Sequence, residues 1–256
     1  MSDQGRPSPL PVSVCLLVKN ELHRLPRTLA PLVNFAELIV LDSGSTDGSV
    51  AYARDHGCVV HESEWHGFGA MRTKLFELAT QPWILWLDAD EVVTDELLSS
   101  LRTLFETEPA ADAYEVNRMV HFQQRRIRHG DWFPDWNTRL FRSTCWEMDE
   151  RPVHEAIRIT GRIERLAGLL EHHSYRNWAD RRERARRYAQ LWATMEAARG
   201  RRPRVGEATL RTAWRFIRGY ILRLGFLDGL LGLRVALSVA SETRLKYRLL
   251  AQEAGH

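Results

Sequence analysis

A chain of 256 residues with 44% hydrophobic content has enough apolar surface for a sizeable core, which excludes a disordered protein. The net charge of +3 conceals an asymmetry: up to Glu150 there are 14 basic and 23 acidic residues, beyond it 22 and 10, so the two parts carry −9 and +12. Three widely separated cysteines, Cys15, Cys58 and Cys145, argue against a disulfide framework or a zinc site, and Met1 to Pro11 lack the apolar run of a signal peptide, which together predict a cytoplasmic protein with reduced thiols.

The first element, from Val12, is an apolar β-branched run that turns abruptly polar at Lys19, as a buried parallel strand delivering a loop does. A helix is expected over about 23–32, then a strand over Leu38–Leu41, a turn over Asp42–Ser45 and a helix over Ser49–His56 capped by Asp47. A short strand at 58–61, a helix at 68–79, a strand through Trp83-Ile-Leu-Trp-Leu and a helix at 95–106 continue the alternation. Strands alternating with helices predict a doubly wound α/β sheet, whose ligands gather at the carboxyl ends of the strands. The segment 113–171 has short strand-like pieces with many aromatics, His and Arg, as in a substrate-specificity region. A helix is expected over 179–199, then a solvated connector. From Leu210 the apolar positions 210, 213, 214, 217, 220, 221 and 224 follow helical spacing, with Arg211, Arg215 and Arg218 on the other face. The continuation to Ala240 is apolar but is interrupted by Asp228 and Arg234, short of the ~20 clean residues of a bilayer span. It reads as a basic, membrane-facing extension, with packing on its own domain or a partner as the alternative.

The strongest chemical signal is Asp88-Ala89-Asp90-Glu91 at the end of an apolar strand. Two carboxylates at i and i+2 can share Mg²⁺ or Mn²⁺ with a bound diphosphate, which helps a nucleoside diphosphate to leave; the bland alternative is a solvated acidic loop or a helix cap. Asp42, in a Leu-Asp-Ser-Gly-Ser-Thr-Asp-Gly-Ser segment, can accept hydrogen bonds from a nucleobase or ribose while Ser43, Gly44 and Ser45 permit close approach. Asn20 and Glu21 end the neighbouring strand and can meet the same nucleoside. Arg139 and Arg142 can meet a diphosphate or phosphorylated acceptor, or pair with neighbouring acids. Trp132, Phe133 and Trp136 can stack on sugar faces or pack in a core.

In combination, VKNE, VLDSGSTDGS, GFGAMRTKL and WLDADE resemble the family 2 glycosyltransferases with the GT-A fold over about 12–101. HGFGAMR, RLFR, PVHEAI and HHSY resemble more narrowly the lipopolysaccharide core β-1,4-glucosyltransferases that act on heptose, to about Trp178. The resemblance implies that Asn20, Glu21, Asp42 and Ser43 surround the nucleoside, that Arg72 contacts the donor, and that Asp88 and Asp90 bind metal and diphosphate; His172 can be a third metal ligand or a diphosphate contact, or with His173 serve in structural hydrogen bonds. Inversion by direct displacement also implies a base: Glu155 of PVHEAI, or else Asp135. The chain has His154-Glu155 where the commoner family pattern has a Glu-Asp pair.

The expectation is therefore a GT-A nucleotide-sugar-binding half over 1–110, an acceptor and base region over 111–178, and a basic helical extension over 179–256. It would be an inverting hexosyltransferase using UDP-glucose and a lipopolysaccharide-core or similar glycolipid acceptor, peripheral on the inner face of the cytoplasmic membrane, on anionic lipid and not on nucleic acid. Two rivals remain at this point. A sugar nucleotidyltransferase would need a Gly-rich, Lys-containing triphosphate loop that the first strand lacks, and a non-catalytic polyanion-binding protein would not need carboxylates at three strand ends.

Overall fold

A computed structural model describes residues 8–122, 125–148 and 157–254. The chain runs β1 (Leu10–Val18), α1 (Leu25–Leu29), β2 (Phe35–Asp42), α2 (Ser49–Asp55), β3 (Val59–Glu62), α3 (Phe68–Glu77) and β4 (Trp83–Asp88). There follow β5 (Glu91–Val93), α4 (Asp95–Leu104), β6 (Ala113–Phe122), β7 (Arg125–Arg126), β8 (Trp136–Arg142), β9 (Trp146–Met148), β10 (Ile157–Ile159) and β11 (Ile163–Tyr175). The last three long elements are α5 (Trp178–Ala198), α6 (Glu207–Ile217) and α7 (Gly229–Glu253).

The chain divides into two compact units, 1–118 with 136–172, and 119–135 with 173–256. In the first, the strands lie in the order β3-β2-β1-β4-β8-β6-β11-β5. Pairing is parallel from β3 to β4, as the alternation of elements predicts, and antiparallel for β4 with β8, β8 with β6 and β11 with β5. The sheet is thus mixed. Side chains alternate across it: Val14, Leu16, Leu85, Leu87 and Leu140 pack with Leu25, Leu29, Leu97 and Leu101 of α1 and α4 on one face. Cys15, Ile84 and Phe141 pack with Met71, Leu75 and Phe76 of α3 on the other. Burial pushes the Cys15 thiol far above its ordinary value, with the charge of Glu37 adding to the effect, so this cysteine is an inert core residue.

The helix α4 begins at Thr94, whose hydroxyl accepts the Leu97 N–H at 3.2 Å, with Asp95 and Glu96 in the first turn complementing the helix dipole. Its packing requires a glycine. Gly168 has φ +95°, and a Cβ there would lie 2.5 Å from the Leu97 backbone. Gly168→Ala is expected to cost about 1–3 kcal/mol or more from overpacking and a left-handed backbone, measured as a lower midpoint in urea; an unchanged midpoint would mean that this contact gives way freely.

In the second unit Phe122 and Ile127 are buried with Leu231, Val235 and Val239 of α7, beside Trp132, Tyr175 and Trp178. Residues 119–135 therefore belong with the C-terminal helices, where the expected boundaries at 110 and 178 divide the chain differently. Helix α5 buries Ala185, Ala189 and Ala193 at four-residue spacing, together with Arg181, which reaches Glu242 of α7 at 2.7 Å. Between α6 and α7 the chain turns sharply, by 71°, at closely packed glycines: a Cβ on Gly232 would meet the Gly225 carbonyl oxygen at 1.8 Å. Among the described residues no single helix is long and apolar enough to cross a membrane, although the bent pair from Glu207 to Glu253 passes that test together.

The amphipathic reading of α6 is corrected in one respect. Arg215 and Arg218, expected on an open basic face, pair with Asp131 at 3.4 Å each, as Arg223 does at 3.7 Å, while Asp131 is almost fully buried. The apolar row is the exposed side: Leu210 is 73% and Trp214 57% accessible, and no α6 residue is buried.

Candidate active site

With β1 central in the parallel half, the crevice outside the carboxyl ends of β1 and β4 is where the strand order reverses, the usual ligand position in such sheets. The loops after β1 and β2 are tied to one another there. Asn20, at φ 56°, donates its N–H to Ser45 Oγ and accepts the Thr46 N–H on Oδ1, both at 2.8 Å. The Glu21 N–H donates to Ser49 Oγ at 2.9 Å, and its carboxylate pairs with Arg24 at 2.7 Å. Buried Asp42 accepts the N–H groups of Gly44 and Ser45 on Oδ2, at 2.9 and 2.8 Å, and the Ser45 hydroxyl on Oδ1. Ser43 donates its N–H to the Val18 carbonyl at 3.0 Å. The N-cap of α2 is Gly48 and not the expected Asp47, which instead accepts the Ser49 N–H at 3.0 Å and the Leu22 N–H at 3.1 Å; the Ser49 hydroxyl is the chief reason its carboxyl titrates below the usual range. Four residues chosen for nucleoside contact thus have a first task, fixing the shape of the two loops that would receive it.

The acidic turn after β4 is built on a buried ionic network. Glu91 is fully buried, accepts the Asp88 N–H at 3.0 Å and pairs with Arg118 at 3.2 Å and with Arg139. Arg139, 2% exposed, also reaches Asp88 Oδ2 at 2.9 Å. Burial opposes ionisation of Asp88, but the guanidiniums of Arg139 and Arg72 outweigh it and hold the carboxyl below its ordinary range. The indole of Trp86, two residues before Asp88, carries Arg139 at 4.4 Å and Arg72 at 4.5 Å over its ring, so one side chain positions both cations. Across the β5–β11 pair, with Glu91 opposite His172, Asp90 Oδ1 comes within 3.5 Å of His172 Nε2. Asp90 and His172 thus bring one carboxylate oxygen and one imidazole nitrogen near each other, with Asp88 in the same turn; donors of this kind suit Mn²⁺ or Mg²⁺.

The remaining choices separate. Arg142 is at the wrong end of the sheet, and the expectation that it meets a diphosphate is corrected: it lies opposite Trp83, about 17 Å along β4 from Asp88 at strand spacing. There it pairs with Glu108 at 2.6 Å and covers the Trp83 ring at 4.7 Å. Arg142→Ala should leave turnover within about twofold and cost at most about 1 kcal/mol, since Glu108 is largely exposed; kinetics and a denaturation midpoint check both. Asp135 belongs to the second unit, and Glu155 lies outside the described residues. Trp132 packs against Tyr175, with centroids 5.3 Å apart, and Trp136 lies beneath Arg165 at 4.5 Å. Sequence reasoning missed Trp86, Arg118 and the role of Glu91. The signal for Glu91 was present as the fourth residue of Asp-Ala-Asp-Glu, but its burial was not.

The sequence profile of Glycosyl transferase family 2 matches residues 13–175. The chain belongs to this family. Among relatives of this family 2 member, a lipopolysaccharide core biosynthesis glycosyltransferase, LpsC of Rhizobium meliloti, is 25% identical, with 95% of each chain covered. A TPR repeat-containing protein of Synechococcus elongatus is 36% identical over 148 residues, and this chain spans only 35% of its length. Among solved structures, residues 1–349 of TarS from S. aureus in complex with UDP align over 94% of this chain and 90% of that one, at 15% identity and a TM-score of 0.48. Glucosyl-3-phosphoglycerate synthase from Mycobacterium tuberculosis, solved with Mn²⁺, UDP and its product, aligns over 43% and 44%, at 22% identity and a TM-score of 0.34. Family 2 membership makes the chain a glycosyltransferase with a GT-A-type mixed sheet and flanking helices, one that resembles the lipopolysaccharide core transferases.

Proposed function

We propose that this family 2 glycosyltransferase moves a hexose, glucose from UDP-glucose, onto a lipopolysaccharide inner-core heptose or similar envelope glycan acceptor, with inversion at the anomeric carbon. The observation that carries the reading is the convergence of Asp90 and His172, 3.5 Å apart, on an acidic turn whose Asp88 is fixed by buried Arg139. Asp88, Asp90 and His172 would hold the divalent ion, Mg²⁺ or Mn²⁺, which when bound supplies positive charge to the departing diphosphate. Arg72, set over Trp86, adds a cation on the donor side. The loops tied by Asn20, Glu21, Asp42 and Ser43 shape the nucleoside pocket, so their pre-organised polar groups lose little entropy on binding. Glu155, or else Asp135, takes the proton from the acceptor hydroxyl as it attacks. The LpsC likeness supports the acceptor class; the choice of glucose rests on the wording of the motifs.

The test is donor binding and hydrolysis across a panel of nucleotide sugars, with and without Mn²⁺. Metal-dependent selection of UDP-glucose is the expected result; selection of another donor would replace the sugar, and metal-independent turnover would remove the ion. The exposed apolar row of α6 and the basic C-terminal part support a peripheral position on anionic membrane at the cytoplasmic face. Truncation before Gly206 should then release the protein from anionic vesicles, and equal binding by both forms would sink that part.

A further inference from the structure

In the second unit a groove of about 470 Å³ runs between α5 and α7. On α5 it is lined by Trp178, Arg182 and Arg186, at helical spacing, and on α7 by Arg234, Leu237 and Leu245 on one face of that helix. The lining is largely apolar and carries these three arginines, with Ser238, Ser241 and Glu242 beside them. Two other arginines of α5 are engaged by carboxylates, Arg181 by Glu242 at 2.7 Å and Arg184 by Asp180 at 3.5 Å. Among the described residues Arg182, Arg186 and Arg234 have no carboxylate within ion-pair distance, and Glu242, the acid that lines the groove, is already held by Arg181 and by Lys246 at 2.9 Å. Three guanidiniums on one apolar groove therefore stand without internal counter-charge.

We infer that this groove binds the phosphate headgroup of an anionic membrane lipid, with the adjoining acyl segment along Leu237. Arginine forks match phosphate oxygens bidentately, and a largely apolar lining selects a phosphate that carries hydrocarbon over a free ion. The same α7 face continues outward through Leu230, 77% exposed, seven residues before Leu237, which is 50% exposed. A lipid seated between the three arginines has hydrocarbon-facing residues on both sides of it. The site is separate from the acidic turn and depends on the membrane reading only for the source of its ligand.

The test titrates the full-length protein with a soluble short-chain phosphatidic acid by calorimetry. Short-chain phosphatidylcholine and inorganic phosphate form separate arms. One phosphatidic acid per chain is expected, weakened about tenfold or more in Arg182→Gln/Arg186→Gln/Arg234→Gln, with UDP binding and Tm unchanged. Leu237→Asp should weaken the lipid and leave inorganic phosphate as it was. Equal binding by the triple variant overturns the site, and equal affinity for inorganic phosphate or for phosphatidylcholine overturns its lipid assignment. Should the triple variant not fold, the single Arg→Gln variants replace it, each expected to weaken binding about threefold; if none does, the site falls. Vesicle binding lost on truncation tests the membrane reading separately, because the short-chain lipid needs no vesicle.

Discussion

Asp90→Asn is expected to lower kcat by about 10²–10³-fold, the scale of losing one electrostatic contact to a developing charge, and to abolish metal-dependent donor binding while the fold persists. The fold should persist because Asp88 and Glu91 keep their hold on Arg139 when Asp90, which faces His172 at 3.5 Å, becomes an amide. An amide keeps the size of the side chain and removes the charge that a divalent ion needs. His172→Asn is expected to act in the same direction and, if both residues hold one ion, to add little to Asp90→Asn in the double variant. Steady-state kinetics across a Mn²⁺ titration, with a melting curve for each variant, checks this. Unchanged kcat in Asp90→Asn would remove it from the proposed ion site; a fall in Tm equal to that of a buried-network variant would make its role structural.

Arg139→Ala is expected to have the largest effect on stability, about 3–5 kcal/mol, because it leaves buried Glu91 and half-buried Asp88 without their main counter-charge. Arg139 is almost fully buried, spans Asp88 and Glu91 and rests on Trp86, so three contacts go at once, while Arg118 on Glu91 and Arg72 on Trp86 remain. Arg139→Lys should rescue little, since a single ammonium does not reproduce a fork that meets two carboxylates and stacks on a ring. The pH dependence has a definite sign. In the parent chain the depressed Asp88 carboxyl contributes stability that is present above the unfolded value of about 3.9 and lost as the pH falls through the lower folded value. In Arg139→Ala, burial without the guanidinium pushes Asp88 and Glu91 upward, so the variant is worst at neutral pH and recovers relative to the parent on acidification. Urea unfolding at neutral and mildly acid pH reads this; a penalty that did not shrink on acidification would mean that removing Arg139 does not raise these carboxylates.

These two expectations draw on different levels of the molecule. The Asp88-Ala89-Asp90-Glu91 run, the Asp42 segment and the alternation of apolar runs with helical stretches are local patterns, and the parallel half of the sheet follows from them. Period-2 and period-3.6 signals are strong where a strand is buried on both faces, as β1 is, or where a helix has one clear apolar side. The antiparallel half was not legible in this way. Strand β6 buries two residues and half-buries the next, repeatedly, so no alternation announces its ten residues, and the thirteen of β11 mix Glu, His and Arg with leucines. Which of two similar arginines joins the acidic turn was equally hidden: Arg139 and Arg142 sit three residues apart on β8, and only its antiparallel register against β4 sends them to opposite ends.

The sequence by itself determined the family, the order of the elements in the parallel half and the carboxylates gathered at the strand ends, because each depends on residues close together in the chain. Tertiary structure alone decided that Arg139, Glu91 and Trp86 hold the acidic turn, that His172 meets Asp90, and that Arg215 of α6 and Arg218 just after it turn toward Asp131 while the apolar row of α6 is exposed. Those outcomes depend on strand register and helix rotation. A shift of one residue in either moves a charge from solvent into a low-dielectric interior, and the cost of that burial, met only where a counter-charge waits on another strand or helix, selects the arrangement.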